Sequence, residues 1–216
     1  MIKILRTVLI ISIAITLVVT VRQYKNYRTQ KENWENIPDI EYTINEDNVI
    51  DIEPDKFPED TLFIERDRAE YKDRDLRLII PSMNINDDVM NGTSNSSLKH
   101  GPGLYDVAQM PRPGYNVNTS LAGHRAGYGR YGNLFKEIEK LKENDKLYLV
   151  DKECIYVYEY LDSKVVEPSD ISVLYLQGFT CLTLTSCHPL GNNTQRIVVR
   201  AKLIDCVKYK EDYGYT

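Results

Sequence analysis

The feature that most constrains the fold is a pair of strand-like segments in residues 180–200, which read TCLTLTSCHPLGNNTQRIVVR. Polar and apolar side chains alternate up to Cys187, and a His-Pro-Leu-Gly run then interrupts the pattern. Alternation resumes at Arg196, where one face of the segment is apolar and the other is polar. The sequence therefore predicts two neighbouring strands, with a thiol at the end of the first and a guanidinium at the start of the second, both facing one cleft.

The composition favours a protein built mainly of strands and argues against a nucleic-acid partner. The chain contains 16 Tyr and 4 Phe, together with many Val, Ile and Thr, which are typical of sheets. Its formal net charge is -5, its pI is near 5.3, and no block of Lys and Arg forms a basic patch. With 216 residues, the chain has room for one domain of ordinary size and an appendage.

The four cysteines do not indicate a metal site. They show no CxxC spacing, and the chain has only 3 His, so we predict no bound metal. An even number of cysteines in an exported protein would permit disulfides. However, Cys181 and Cys187 share one strand face and lie too far apart along it to bond to each other. These observations favour a free or catalytic Cys187 over a structural one.

A known family has the same arrangement around this cysteine. The segment TLTSC ending at Cys187, followed by a short loop and an Arg that opens a strand, resembles the signature of sortases, the cysteine transpeptidases of Gram-positive cell surfaces. Ser186 stands where the family usually has Thr, and it keeps a hydroxyl at that position. The resemblance implies a mostly β fold, a closed sortase-type β-barrel of about eight strands with short helices, preceded by an N-terminal transmembrane helix.

We expect four segments along the chain: a transmembrane signal anchor at 1–22, a polar stalk or N-terminal arm at 23–75, the catalytic barrel at 76–210 and a polar tail at 211–216. Residues 7–21 carry no charge, and with the apolar residues before them they approach the ~20 residues that cross a bilayer. No small-x-small cleavage site follows, which favours an uncleaved anchor. Positive charges on the two sides balance, so the resemblance alone implies the orientation: a single-pass protein of the cell membrane with its catalytic domain outside.

Shorter segments complete the predicted barrel. Alternation and turn residues predict two strands with a Pro-marked break in residues 76–92, then strands at 116–122, 146–150, 155–162 and 165–166, and a short amphipathic helix at 133–141.

The candidate histidine lies in the segment LAGHRAGYGRYGNLF, where His124 follows the predicted strand 116–122 and precedes several glycines that allow sharp turns. From this segment alone, a hydrogen-bonded turn histidine and a catalytic one are equally good interpretations. Sortases have their catalytic His in such a Gly-His context, and the resemblance therefore implies His124. His188 is the rival, although a residue adjacent to Cys187 on an extended chain points to the opposite side. His100, in a turn-rich segment, ranks last.

With the resemblance, these residues support a chemical hypothesis. Cys187 attacks the carbonyl of an LPxTG-like sorting signal, His124 protonates the departing amine, and Arg196 steadies the substrate or the oxyanion. A cationic neighbour favours the reactive thiolate. Arg200, which lies deeper in the strand, is the alternative arginine. The family implies the partners: sorting-signal peptides of surface proteins and an amine of a cell-wall precursor, which resolves the thioacyl enzyme.

In the family, a loop before the cysteine strand selects the peptide, and it corresponds here to residues 167–179. The resemblance implies that Ile171 and Val173 contact the substrate, together with Thr185 and Ser186 beside the thiol. Packing in the core explains the two apolar residues equally well.

Some sortases use calcium, and Asp87, Asp88 and Glu139 are acidic residues that could contribute to such a site. Their spacing does not resemble an EF-hand, and we predict no required cofactor.

The sortase class and the exact activity stay open from sequence. The short connection after residue 166 differs from the long helix of class B, and the polar tail predicts no second span of the kind frequent in class C. We favour an A-like or D-like member, while RIVVRAKL resembles class B. A membrane-anchored cysteine peptidase and a non-catalytic tethered surface-binding module are the two other candidate functions. The occurrence of Cys187, Arg196 and His124 at loop edges favours an enzyme.

Overall fold

Nine strands form one continuous sheet in the computed structural model, which describes residues 68–208. In chain order they are β1 (Arg77–Ile80), β2 (Ile85–Asp88), β3 (Met90–Asn91), β4 (Gly103–Leu104), β5 (Asn118–Ala122), β6 (Lys146–Val150), β7 (Cys154–Val166), β8 (Cys181–His188) and β9 (Gln195–Lys208). Between them lie the one-turn helices α1 (Asn95–Leu98) and α2 (Gly129–Gly132), with 3-10 helices at Pro81–Met83, Ile138–Lys140 and Ser172–Leu174.

The sheet curls into a nearly closed barrel. Its strand order is β2-β1-β6-β7-β9-β8-β5-β4-β3, so β2 and β3 lie at the two edges. In the chain, only Val89 separates these two strands, and its N–H donates to the Leu76 carbonyl at 2.8 Å. The next N–H, of Met90, donates to the Pro102 carbonyl at 2.7 Å. One continuous segment therefore pairs with β1 through β2 and with β4 through β3, and so joins the two ends of the sheet.

The predicted mostly β fold is thus confirmed, with nine strands instead of about eight. β3 and β4, which have two residues each, add two strands, and the predicted strands 155–162 and 165–166 form one strand, β7. Two residues are too few to show the alternation that identifies a strand in a sequence.

The strand pair on which the prediction rested is also confirmed. β8 pairs antiparallel with β9, from Cys181 opposite Lys202 to His188 opposite Gln195. On its other side β8 runs parallel to β5. Leu182 and Leu184 of β8 face the core, which leaves Cys187 on the outer face of the barrel. The cysteine strand is therefore central, with a neighbour on each side.

Two predictions of secondary structure were wrong, one on a strand boundary and one on a helix. The segments 155–162 and 165–166 form the single strand β7, which stays paired with β9 through register shifts at Val157/Tyr158 and at Tyr160/Asp162. These irregularities, and the polar residues between the two segments, hid the continuity.

The helix predicted at 133–141 is instead a series of turns followed by the 3-10 helix Ile138–Lys140. The apolar residues that suggested it are buried as expected: Leu134, Phe135, Ile138 and Leu141. The Phe135 N–H, however, donates to the His124 carbonyl at 2.9 Å, outside any helix. Helical spacing therefore identified the buried face correctly and the backbone conformation wrongly.

Packing against the barrel extends N-terminal of Leu76. The Tyr71 hydroxyl donates to the Val89 carbonyl at 2.7 Å, and Arg68 Nε donates to the Tyr105 carbonyl at 2.8 Å. The predicted anchor at 1–22 and the predicted tail at 211–216 lie outside the described residues. Within residues 68–208, no helix is both long enough and apolar enough to cross a bilayer.

Candidate active site

Cys187 lies near the end of β8 with a half-buried, free thiol. Its partner in the antiparallel register is Arg196 of β9. Directly opposed residues of such a pair share one face of the sheet, with Cβ atoms about 4.5–5.5 Å apart. Cys187 and Arg196 are therefore cross-strand partners at one end of the β8–β9 pair.

The two candidate arginines have different surroundings. Arg196 Nη1 donates to two backbone carbonyls, Asn193 O at 3.0 Å and Gln195 O at 2.8 Å. Arg200 Nε donates to the carboxylate of Asp162 at 2.9 Å, and its Nη1 donates to Gln177 Oε1 at 3.0 Å. The hydrogen-bonded Asp162 carboxylate raises the pKa of Arg200. The Arg200 side chain is thus bonded to a carboxylate, whereas Arg196 lies opposite Cys187 in the register.

His124 follows β5 at the level of Cys187. The parallel register advances from Asn118 opposite Cys181 to Ala122 opposite Thr185. One residue beyond, the Gly123 N–H donates to the Thr185 carbonyl at 3.1 Å and the Ser186 hydroxyl donates to the Gly123 carbonyl at 2.6 Å. Continuing this register beyond Ala122 leads to His124 at the level of Cys187. His124 is half-buried, and the three residues lie at or just beyond the ends of three adjacent strands, β5, β8 and β9.

Gly123 allows close packing beneath the histidine. A Cβ atom at this position would lie 2.6 Å from the ring of Phe135, a residue that is fully buried. The Phe135 N–H also holds the His124 carbonyl. The Gly-His pair is therefore held by packing as well as by strand pairing.

The other two histidines lie elsewhere. His188 is on the inner face, where its Nδ1 is 3.1 Å from Glu139 Oε1 and 3.2 Å from Arg125 Nη1. His100 follows α1 and is exposed, and its backbone N–H donates to the Ser97 carbonyl.

The four predicted substrate contacts have unequal access to solvent. Thr185 is buried and its hydroxyl is 2.8 Å from that of Tyr105, while the buried Ser186 is bonded to Gly123 as described. Val173 is buried, whereas Ile171 is 55% exposed. Only Ile171 of the four therefore presents most of its side chain to solvent.

The loop that joins β7 to β8 is held by polar side chains of β5, which the sequence did not single out. Asn118 Nδ2 donates to the carbonyls of Val173 at 3.1 Å and Tyr175 at 2.8 Å, and its Oδ1 accepts from the Thr183 hydroxyl at 2.8 Å. The Ser120 hydroxyl donates to Leu174 O at 3.4 Å. The sequence feature that could have indicated this contact is Asn118, an amide in a strand whose other side chains are apolar or carry a hydroxyl.

Arg125 is a second residue that the sequence analysis missed. Its side chain is only 1% exposed, and its Nη1 donates to the backbone carbonyl of Cys187 at 3.3 Å. A charged residue beside glycines is typical of a solvated loop, so the sequence carried no signal for this burial.

The acidic residues considered for calcium are paired with arginines. Asp87 Oδ1 is 2.6 Å from Arg130 Nη2, Asp88 Oδ1 is 3.0 Å from Arg77 Nη2, and Glu139 Oε2 is 2.7 Å from Arg125 Nη2. Among residues 68–208, no group of three or more His, Cys, Asp or Glu side chains could hold a metal ion.

The remaining thiols are unsuited to nucleophilic attack. Burial raises the pKa of Cys181 to about 11, and burial also raises the pKa values of Cys154 and Cys206. A thiol that stays protonated is a poor nucleophile. Cys187 differs from these three because its side chain reaches solvent.

This sequence is similar to the sequences of proteins named as sortases. A family model described as the Sortase domain matches residues 78–204. Sortase A of Bacillus anthracis is 28% identical over 184 residues, which cover 84% of this chain and 85% of that protein. Sortase D of Bacillus subtilis is 29% identical over 131 residues, covering 59% of this chain and 62% of that protein.

Solved structures agree with these matches. Sortase C of Clostridium perfringens SM101 aligns with a TM-score of 0.55 at 32% identity, covering 64% of this chain and 75% of that one. Sortase A of Listeria monocytogenes aligns with a TM-score of 0.56 at 27% identity, covering 64% of this chain and 92% of that one. The matched proteins carry the names of several sortase classes, so the similarity identifies no single class.

Proposed function

The chain belongs to the sortase family of cysteine transpeptidases, and from this premise we propose that Cys187, His124 and Arg196 form its catalytic centre. The observation that carries the proposal is the register across three adjacent strands. Arg196 is the cross-strand partner of Cys187, and the parallel pairing of β5 with β8 leads to His124 at the same level.

The proposed reaction begins with the Cys187 thiolate, which attacks the scissile carbonyl of an LPxTG-like sorting signal. The carbonyl becomes a tetrahedral oxyanion, and the Arg196 guanidinium stabilises its negative charge. Protonated His124 gives its proton to the departing amine, and the acyl group remains on the sulfur as a thioester. An amine of a cell-wall precursor then attacks the thioester and loses a proton to neutral His124, and the Cys187 thiolate leaves.

The loop between β7 and β8 is the proposed peptide-selecting surface. Ile171 is exposed, and Tyr175 and Leu176 on the same loop are also exposed apolar residues. These side chains would cover the apolar part of a sorting signal. Val173 anchors the loop from its buried side, and Thr185 and Ser186 hold the strand end that carries the thiol.

The proposed location is the cell membrane, with residues 1–22 as a single-pass anchor and the catalytic domain outside. The uncharged run at 7–21 supports it. Protease added to intact cells should remove the domain from the cell surface; a domain that stays protected until the cells are lysed would contradict this topology.

The catalytic proposal is tested by incubating the full-length protein with an LPxTG-like peptide and triglycine, followed by mass spectrometry. We expect a thioacyl adduct on Cys187 and an amine-dependent ligation product. Cys187→Ala should abolish both, and Cys154→Ser, which alters a buried thiol, should retain both. Release of the peptide only to water, with or without the amine, would identify a peptidase.

The same assay distinguishes the two arginines. Arg196→Ala should lower kcat/KM for ligation by about 100- to 1000-fold, the usual effect of removing an oxyanion donor. Arg200→Ala, which removes a residue bound to Asp162, should lower it far less. Equal losses in the two variants would contradict the role assigned to Arg196.

A further inference from the structure

We propose that Arg125 is a positioning residue that fixes the end of the cysteine strand from the inner face of the barrel. This inference rests on the proposed function of Cys187. It gives a role to Arg125, a buried cation that takes no part in the chemical steps above.

The pairing between β5 and β8 shows what Arg125 replaces. In a parallel ladder, every second residue of one strand donates to every second carbonyl of the other. The Gly123 N–H donates to the Thr185 carbonyl, so the next bond of the ladder would join the backbone N–H of Arg125 to the Cys187 carbonyl. The chain leaves the strand at His124, and the Arg125 side chain reaches the same carbonyl instead, with its Nη1 at 3.3 Å. A guanidinium thus replaces the last backbone bond of the ladder.

A second contact fixes the guanidinium itself. Arg125 Nη2 is 2.7 Å from Glu139 Oε2, in the 3-10 helix Ile138–Lys140. The Glu139 side chain is 48% exposed, whereas that of Arg125 is only 1% exposed. The hydrogen bond from Arg125 holds the pKa of Glu139 below its ordinary value, so the partner stays ionised. Without this carboxylate, a buried guanidinium would be strongly unfavourable.

His188 completes the cluster. Its Nδ1 lies within hydrogen-bond distance of both Arg125 Nη1 and Glu139 Oε1. A guanidinium only donates, so Nδ1 accepts from Arg125 when it is unprotonated, and it donates to Glu139 when it carries a proton. In either state the imidazole ties His188, the residue directly after Cys187, to the pair formed by Arg125 and Glu139.

The position of Arg125 in the chain explains why these contacts affect catalysis. It directly follows His124, and its side chain binds the backbone of Cys187. One residue therefore joins the segment that carries the imidazole to the strand that carries the thiol. Loss of the contact frees both ends and leaves the chemical groups present but less well aligned, and misalignment of about 1 Å can lower a rate by about 100-fold.

The inference is tested in the full-length protein with Arg125→Met, and the matched control is Arg130→Met. Arg130 lies in α2, in the same connection between β5 and β6, and also pairs with a carboxylate, but its partner is Asp87 of β2, remote from Cys187 in the sheet order. We expect Arg125→Met to lower kcat for ligation by about 10- to 100-fold, with KM for the peptide changed less than about threefold. Arg130→Met should lower the melting temperature with a much smaller change in kcat.

Two results would overturn the inference: a folded Arg125→Met protein with unchanged kcat, or losses of kcat in both variants that simply follow their losses of stability. If Arg125→Met does not fold, Glu139→Gln decides, because it keeps the side-chain shape and removes the charge that holds Arg125. A several-fold fall in kcat at constant KM supports the inference, and an unchanged kcat refutes it.

Failure of the proposed function is distinguishable from failure of this inference. Ligation by Cys187→Ala would refute only the catalytic assignment. The rate of Cys187 alkylation by iodoacetamide, compared between the wild type and Arg125→Met, would then still report whether Arg125 positions the thiol.

Discussion

Arg196 and Arg200 lie on the same face of β9, and their partners decide which of them is available for substrate. Arg200 is opposite Asp162 in the register with β7, and two hydrogen bonds join the side chains. The bond from Arg200 holds the pKa of Asp162 below its ordinary value of 3.8. The pair is partly open to solvent, so its contribution to stability is small.

This pair gives a pH dependence with a definite sign. Because the folded-state pKa of Asp162 is lowered, the pair stabilises the protein above the unfolded-state pKa and loses its effect as pH falls through the folded-state value, below 3.8. Asp162→Asn should reduce the free energy of unfolding by up to about 1 kcal/mol near neutral pH, and by much less at about pH 2. Urea unfolding across this range measures the difference, with Glu143→Gln in an exposed turn as the control. A difference that grows toward acid would contradict the assignment.

Individual residues of the site could be predicted from sequence to different degrees. Cys187 and Arg196 were predicted as neighbours because alternation fixes the face of each and the short loop between them fixes the register. His124 needed the family resemblance, since its segment alone was ambiguous. Arg125 could not be predicted, because its burial depends on Glu139 and His188, which come from distant parts of the chain.

At the scale of elements, the loop between β7 and β8 depends on β5 for its shape. Asn118 is fully buried and bonds two loop carbonyls and one hydroxyl of β8. Without the amide, these groups would be left without their partner, at a cost of about 1–3 kcal/mol. The side of β5 that carries Asn118 thus holds the proposed peptide-selecting surface in place.

We therefore expect Asn118→Ala to raise KM for the sorting peptide more than it lowers kcat, because the variant frees the loop and leaves the catalytic residues unchanged. Steady-state ligation kinetics at saturating amine separate the two parameters. Ser120→Ala is the matched control, since Ser120 makes one longer bond to the same loop, at 3.4 Å, and should show a smaller effect. A loss confined to kcat would argue that the loop does not contact the peptide.

The elements themselves were predicted where they are long and periodic. The strands β6 and β8 follow the predicted ranges closely, and β9 begins as predicted but continues to Lys208, beyond the alternation that predicted it. β3 and β4 are too short to be recognised. The segment 133–141 was assigned a helix because its buried residues have helical spacing. Here a series of turns buries the same residues. The backbone is not helical at Phe135, because its N–H is bonded to the His124 carbonyl.

At the scale of the whole molecule, the barrel closes where β3 meets β4. This parallel pairing has only two rungs, Met90 with Gly103 and Asn91 with Leu104. β4 then continues the sheet to β5, where Leu104 lies opposite Leu121. The closure therefore depends on a few close backbone contacts and connects directly to the strand that leads to His124.

Gly103 allows the closest of these contacts. A Cβ atom at this position would clash with the Gly92 carbonyl oxygen and would lie 2.8 Å from Leu98 Cδ2. The first of these atoms belongs to the backbone and cannot rotate away, so the two strands would have to separate. Gly103→Ala should consequently lower the free energy of unfolding by about 1–3 kcal/mol, the usual cost of an overpacked core.

Urea unfolding of the full-length protein measures this loss, and Lys99→Ala, an exposed substitution directly after α1, is the control. Hydrogen exchange gives the whole-molecule test. Because β4 lies between β3 and β5, we expect Gly103→Ala to speed exchange in β5 as well as at the closure, while the long pair β7 and β9 stays protected. Unchanged stability, or faster exchange in β7 and β9 alone, would show that the barrel is not held at this edge.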